Sequence, residues 1–477
     1  MRHAAYPLFV CAALALAPAL PTPALAAAPS PSPAPAAAAA APNVNLRFEK
    51  YTLDNGLEVV LHRDPAAPLI TVNVWYHVGS GDEVVGKSGF AHLFEHMMFQ
   101  GTKHTGQDVH FKILEAIGAS EVNGSTTTDR TNYYQTVPRH HVETALWLES
   151  DRMGFVLDAL TEESFRNQVD VVRNERRQRY DNQAYGRARF ALAAALYPEG
   201  HPYRYLTIGL HEDLDNASLE DVRAFFRKWY VPSNATLVVA GDFEIADMKA
   251  LVAKWFGTLP TRHRPKPSYA APPTLAKSVS VEVSDPFAKL AQVQWVWLTP
   301  ANLAKDSLEL MAAAEILGAQ GWGRLYKRLV VDEQLCSVVW AGVDPKAFNG
   351  ELHVVARVKP GLDRDRVSDI IKQEVDRLVA APPSAAELNR VVVNTESAFV
   401  WSLEDLSERA DQLQWFNHYT GDPGFMSTYL ARLRALTPAA VHAAAARWLT
   451  KPHAQIITVP AAAAGAAPNP SAPEEGE

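Results

Sequence analysis

The sequence predicts an α+β fold: two tandem homologous domains, each a mainly antiparallel sheet packed with helices. Three observations carry this. Asn55-Gly56 lies between the β-rich runs 51–54 and 57–61, the pattern of a tight hairpin. Residues 437–459 match 218–240 without a gap, so that Val441 falls on Val222, Trp448 on Trp229 and Ala454 on Ala235. Val293, Trp295 and Trp297 alternate along one strand as Val72, Val74 and Tyr76 do along another, and a helical stretch follows each. At 477 residues the chain is long enough for more than one core.

The elements follow in order. After the hairpin, 70–78 reads as a strand ended by Gly79-Ser80-Gly81, and a short helix opens after Gly89. Residues 108–117 read as a helix, 120–127 and 131–137 as a strand pair. Pro138 is expected to open a helix reaching about Leu157, with Val142, Ala145, Leu146 and Met153 inward. A further helix from Phe165 turns Phe165, Val169 and Val172 to the core. Ser218 caps a helix ending at Trp229, 235–240 is a buried strand, and 245–256 is helical. Prolines 260, 265, 267, 272 and 273 mark 259–278 as an interdomain linker. The two domains are thus 46–258 and 279–459.

The ends read differently. Arg2, an apolar run and Ala24-Leu25-Ala26 give 1–26 the form of a secretory signal. Residues 27–45 are an Ala/Pro-rich spacer that cannot bury a core, and 460–477 are a disordered tail of similar composition. With the signal removed, no stable membrane span is expected, and Cys336 is the one cysteine left, so no internal disulfide can form. Secretion without disulfides fits the periplasm of a Gram-negative bacterium. A net charge of -8 gives no basic surface for nucleic acid.

Residues 92–96 read H-x-x-E-H on the short apolar helix. Residues three and four apart share a helix face, so His92, Glu95 and His96 point together. Two imidazoles in that spacing can hold one zinc ion, and the carboxylate beside them can act as a general base. Glu175 shares a face with Gln168 and Val172 on a later helix, and a carboxylate on such a partly buried face needs a partner. That partner is zinc, or else one of Arg173, Arg176, Arg177 and Arg179. The adjacent His140 and His141 face different ways and make poor co-ligands.

From 46 to 459 the chain resembles the pitrilysin and insulin-degrading-enzyme family of zinc metallopeptidases, and within it the half-size members such as the mitochondrial processing peptidase β subunit. The resemblance implies half of a clamshell, one zinc ion per chain on His92, His96 and Glu175, and Glu95 as general base. Gln168 stands where the family often has a Glu beside the third ligand, which implies a supporting contact. Glu121, Val122, Asn123, Gly124 and Ser125 resemble the edge strand that pairs with extended peptide. Many active members also carry an Arg and a Tyr in the second domain, after a run similar to Gly323-Arg324-Leu325-Tyr326. Here those positions hold Val330 and Ser337. The expected function is a secreted zinc endopeptidase subunit acting on peptides or unfolded segments, completed as a heterodimer by a homologous subunit that carries the Arg/Tyr pair. The alternatives are a homodimer using other donors such as Arg324 or Tyr326, and a non-catalytic or weakly active assembly subunit.

Overall fold

The computed structural model describes residues 44–265 and 272–461. The 1–26 signal, the 27–45 spacer up to residue 43, the centre of the 259–278 linker and the tail after 461 lie outside them.

The first half builds a six-stranded sheet of order β1-β2-β6-β3-β5-β4. Its strands are β1 (Glu49–Thr52), β2 (Glu58–Arg63), β3 (Leu69–Tyr76), β4 (Ser120–Thr126), β5 (Thr131–Pro138) and β6 (Ala235–Gly241). Gly56 closes the β1–β2 hairpin at φ +91°, where any Cβ would also strike Ser233. Between the strands run α1 (Phe90–Met97), α2 (Val109–Ala116), α3 (Val142–Ala159), α4 (Glu162–Arg176), α5 (Gly186–Leu196), α6 (His211–Asp215) and α7 (Leu219–Trp229), and α8 (Ile245–Phe256) follows β6. Two boundaries differ from expectation. Pro138 stays extended because Leu69 pairs with it across β3, so α3 opens only at Val142, after a 3-10 turn. Helix α4 begins before Phe165 because Thr161 and Ser164 cap each other.

The second half repeats this plan as β7-β11-β8-β10-β9. Its strands are β7 (Val279–Asp285), β8 (Gln292–Thr299), β9 (Cys336–Asp344), β10 (Gly350–Val358) and β11 (Ala454–Pro460). Its helices are α9 (Ser307–Gly318), α10 (Arg324–Tyr326), α11 (Arg364–Ala380), α12 (Ala385–Ser402), α13 (Leu406–Thr420), α14 (Met426–Arg434) and α15 (Pro438–Trp448). Each sheet has a single parallel pair, β2/β6 in one and β7/β11 in the other, and apart from the β1/β2 pairing, which the second sheet lacks among the described residues, the remaining pairings correspond strand by strand. Thus β9 occupies the edge that β4 occupies in the first sheet, and α9 follows β8 as α1 follows β3.

The halves also exchange helices. On β3, Val72, Val74 and Tyr76 face the large first core, as their alternation requires. The opposite face of that sheet is buried too, because α13 of the second half lies on it, packing Ala410, Leu413 and Phe416 onto Val60, Val238 and Ala240. Burying Leu413 and Phe416 contributes roughly 2–3 kcal/mol each. The Gln414 amide donates to the carbonyls of Asn73 and Thr236, both at 2.8 Å. In return, α5 of the first half places Ala188, Leu192 and Leu196 against Val296, Ala454 and Ile456 of the second sheet.

Candidate metal centre

Helix α1 forms because Phe90, Leu93, Phe94 and Met97 make one buried stripe at helical spacing. It opens at Gly89, whose φ is +87° and where a Cβ would stand 3.0 Å from the Gly209 Cα. The Glu83 carboxylate accepts from the backbone N–H of Gly89 at 3.0 Å and of Ala91 at 2.8 Å. It thereby holds the positive end of the helix. Burial raises the Glu83 pKa well above the carboxylate range, against the pull of those two donors.

The structure brings His92, His96 and Glu175 together. Glu175, near the end of α4, places Oε2 at 3.3 Å from His96 Nε2 and 3.6 Å from His92 Nε2. Donor atoms about 2.0–2.1 Å from a tetrahedral zinc stand roughly 3.3–3.4 Å from one another. Both imidazoles therefore stand from the carboxylate at close to the spacing zinc requires, the three donor atoms lie within 4.8 Å of one another, and the set of two imidazoles and a carboxylate suits that ion. Arg179 Nη1 lies 2.6 Å from Oε1 of Glu175, while Oε2 faces the two histidines, so an ion pair and metal ligation through different oxygens are compatible.

Charge is arranged around this cluster. Burial, then the neighbouring His96, lowers the His92 pKa to about 4 and keeps that ring neutral, as a metal donor must be. Burial works against a charged His96, but Glu175, Glu95 and a hydrogen bond with Gln168 outweigh it and raise its pKa. Glu175 is likewise opposed by burial and held below its usual value by His96, His92 and Arg179. Gln168 is buried on α4 beside these groups.

Glu95 lies on the same face of α1 and accepts from the Thr126 hydroxyl at 2.5 Å. Burial raises its pKa, and the hydrogen bond from Thr126 opposes the rise. Thr126 ends β4, an edge strand that pairs only with β5 among the described residues. Along this strand Glu121 sits in a bulge at φ +55°, and Asn123 is exposed. Val122 and Ser125 are half-buried, and the Ser125 hydroxyl donates to Asn132 at 2.7 Å. Gly124 passes so close to α1 that a Cβ there would stand 3.3 Å from Glu95 Cγ.

The other singled-out residues lie apart from the cluster. His140 and His141 occupy the 3-10 turn before α3. Val330 packs against the second core and Ser337 is exposed near the start of β9. The Arg324 guanidinium is engaged by Glu387 at 2.7 and 3.1 Å. Sequence reasoning missed Glu83 and Thr126. Only the position of Glu83, a loop acid just ahead of a glycine-started helix, could have hinted at a cap.

Two like sheets, with an inverted H-x-x-E-H helix under the edge of one of them, define a protein of the zinc-peptidase class. Two family models match the chain: Insulinase (Peptidase family M16) over residues 58–202 and Peptidase M16 inactive domain over residues 216–394. The chain belongs to this M16 family of insulinase and pitrilysin relatives. It is 29% identical over 371 residues to the zinc protease PqqE of Helicobacter pylori, covering 76% of this chain and 82% of that one. A crystal structure of a protease from Helicobacter pylori superposes with a TM-score of 0.81 at 27% identity, covering 87% of this chain and all of that one. The first half of the periplasmic protease PqqL from Escherichia coli shares the fold, with a TM-score of 0.72 at 18% identity over 88% of this chain and 93% of that one.

Proposed function

We propose that this chain is the zinc-bearing catalytic subunit of a secreted endopeptidase that cleaves peptides or unfolded segments. His92, His96 and Glu175 hold one zinc ion, Glu95 is the general base, and Gln168 supports His96. The observation that carries the reading is the spacing of the three donor groups, 3.3 and 3.6 Å from the Glu175 oxygen, with Glu95 beside them on α1. The description "inactive domain" falls on residues 216–394, outside the H-x-x-E-H stretch, so it does not oppose catalysis by the first half.

When bound, zinc supplies a Lewis acid that polarises the scissile carbonyl and acidifies a water. Glu95 takes the proton of the attacking water and returns it to the leaving amine. Its raised pKa suits both halves of that task. Thr126 fixes the carboxylate through one oxygen and leaves the other for the proton. Substrate enters as an added strand on β4, where the backbone of residues 121–125 binds any extended peptide, and the absence of a side chain at Gly124 lets the peptide lie near Glu95.

The address is the periplasm, supported by the signal-like residues 1–26 and by the likeness to a periplasmic protease, while no described helix is long and apolar enough to cross a membrane. The partner is a homologous subunit carrying the missing Arg and Tyr. Val330 has no polar atom and Ser337 is too short to replace a phenol, a deficit on the order of 10²–10³ in rate. The test is metal analysis of the purified chain together with hydrolysis of an unstructured peptide, with Glu95→Gln as control. A chain that neither retains zinc nor cleaves the peptide, with or without the related subunit, would overturn the reading.

A further inference from the structure

The β4–β5 turn, residues 127–130, is held from several sides. Backbone N–H groups of Ser80 and Gly81, ahead of α1, donate to the carbonyls of Thr127 and Thr128 at 3.0 and 2.7 Å. Arg130 Nη1 donates to the Ser125 carbonyl at 2.9 Å. Asp129 reaches the other way. Its Oδ1 accepts from the Tyr203 hydroxyl at 2.6 Å. Its Oδ2 accepts from the Tyr419 hydroxyl at 3.0 Å and from the Ala347 N–H at 2.9 Å. Tyr419 ends α13, the helix that the second half lays on the first sheet, and Ala347 lies in the β9–β10 turn. The Tyr203 ring stacks on Phe348 of that same turn with centroids 4.9 Å apart.

One carboxylate therefore ties the hairpin that carries Thr126 to two elements of the second half. The chain runs Tyr419 and Ala347, Asp129, the turn, Thr126, Glu95. Three donors on one carboxylate define its position more tightly than any single bond could. A second contact joins the halves elsewhere: Tyr197, after α5 of the first half, donates to Glu351 of β10 in the second at 2.6 Å.

We propose that Asp129 is a positioning residue for Glu95: through it the second half sets the placement of the catalytic carboxylate, although it contributes no group to the cluster. The inference rests on the peptidase reading above. Asp129→Ala should lower kcat about 10–100-fold, the scale of a small misplacement at the reacting atoms. Asp129→Asn and Tyr419→Phe, which each keep part of the bonding, should lose severalfold. All three should hold zinc with wild-type affinity, because His92, His96 and Glu175 stand on α1 and α4. Hydrogen exchange should speed up in residues 120–131 and not in α1.

The decisive arm is a double-mutant cycle with Thr126→Val. If Asp129 acts through Thr126, the two losses in kcat are markedly less than additive. Additive losses, or wild-type kcat in both Asp129→Asn and Tyr419→Phe, overturn the proposal. So does a fall in zinc affinity that matches the fall in rate. A wild-type chain inactive both alone and with the related subunit would instead count against the peptidase reading, and the exchange of residues 120–131 would still judge the clasp.

Discussion

Glu175→Gln separates the two roles open to this carboxylate. In the structure its Oε2 stands 3.3 and 3.6 Å from the two imidazoles and its Oε1 stands 2.6 Å from Arg179. Replacing the acid with an amide of the same size removes the one anionic charge in the donor set and leaves at most a weak neutral oxygen donor. Losing a supporting contact around a metal costs about 10–100-fold in affinity. A charged ligand should cost at least that, about 1.4–2.7 kcal/mol. Arg179→Ala is the companion variant. It removes a cation that competes for the same carboxylate, so zinc affinity should hold or tighten. The assay is chelator competition on purified protein, with the melting temperature of the metal-free chain measured in parallel. If Glu175 serves only the ion pair with Arg179, both variants lower the melting temperature alike and neither changes zinc affinity. That result would refute the ligand assignment.

Other outcomes follow from the same geometry. Glu95→Gln should keep stoichiometric zinc and lose roughly 10²–10⁴ in kcat, so a zinc-loaded variant with full activity would exclude the base role. Gly124→Ala would set a methyl 3.3 Å from Glu95 Cγ and 3.2 Å from the Asn132 carbonyl. It should reduce kcat/KM about tenfold with zinc unchanged, measured on a short peptide. His77 and His418 meet through their Nδ1 atoms at 2.7 Å. Burial lowers the His77 pKa to about 3 and the His418 pKa well below its usual value. At these two rings the folded chain binds fewer protons than the unfolded chain below about pH 6.5, and their contribution to stability is lost as pH falls from there, by up to about 1.4 kcal/mol per pH unit for each ring. Urea midpoints should fall less steeply between pH 7 and 5 in His418→Gln than in the wild type, and equal slopes would count against the pair. Purified alone, the chain should cleave unstructured peptides far more slowly than when mixed with a related subunit that carries the Arg/Tyr pair. Full activity alone would remove the need for that partner.

Local patterns already carried much of this molecule. The H-x-x-E-H spacing puts its three side chains on one helix face whatever surrounds them, because the helical repeat is local. Ser218 and Thr437 mark helix starts, and Asn55-Gly56 marks a hairpin, for equally local reasons. The gapless match of 218–240 to 437–459 reported two like sheets, because equivalent cap, helix and strand must meet equivalent neighbours. Other features depended on contacts between residues far apart in the chain. The partner of Glu175 stayed open in sequence, since four arginines lie within four residues of it, and α1 had to be brought across before two histidines met one oxygen while Arg179 took the other. That α13 covers the first sheet and α5 the second was equally hidden, because an apolar helix face does not say which sheet it will meet. The sequence by itself determined the chemistry of α1 and the repeat. Only the tertiary structure decided that Thr126 and Glu83 bond to that helix and that Asp129 ties the β4–β5 turn to the second half, because each is an ordinary loop or strand residue until long-range packing gives its polar atoms a partner.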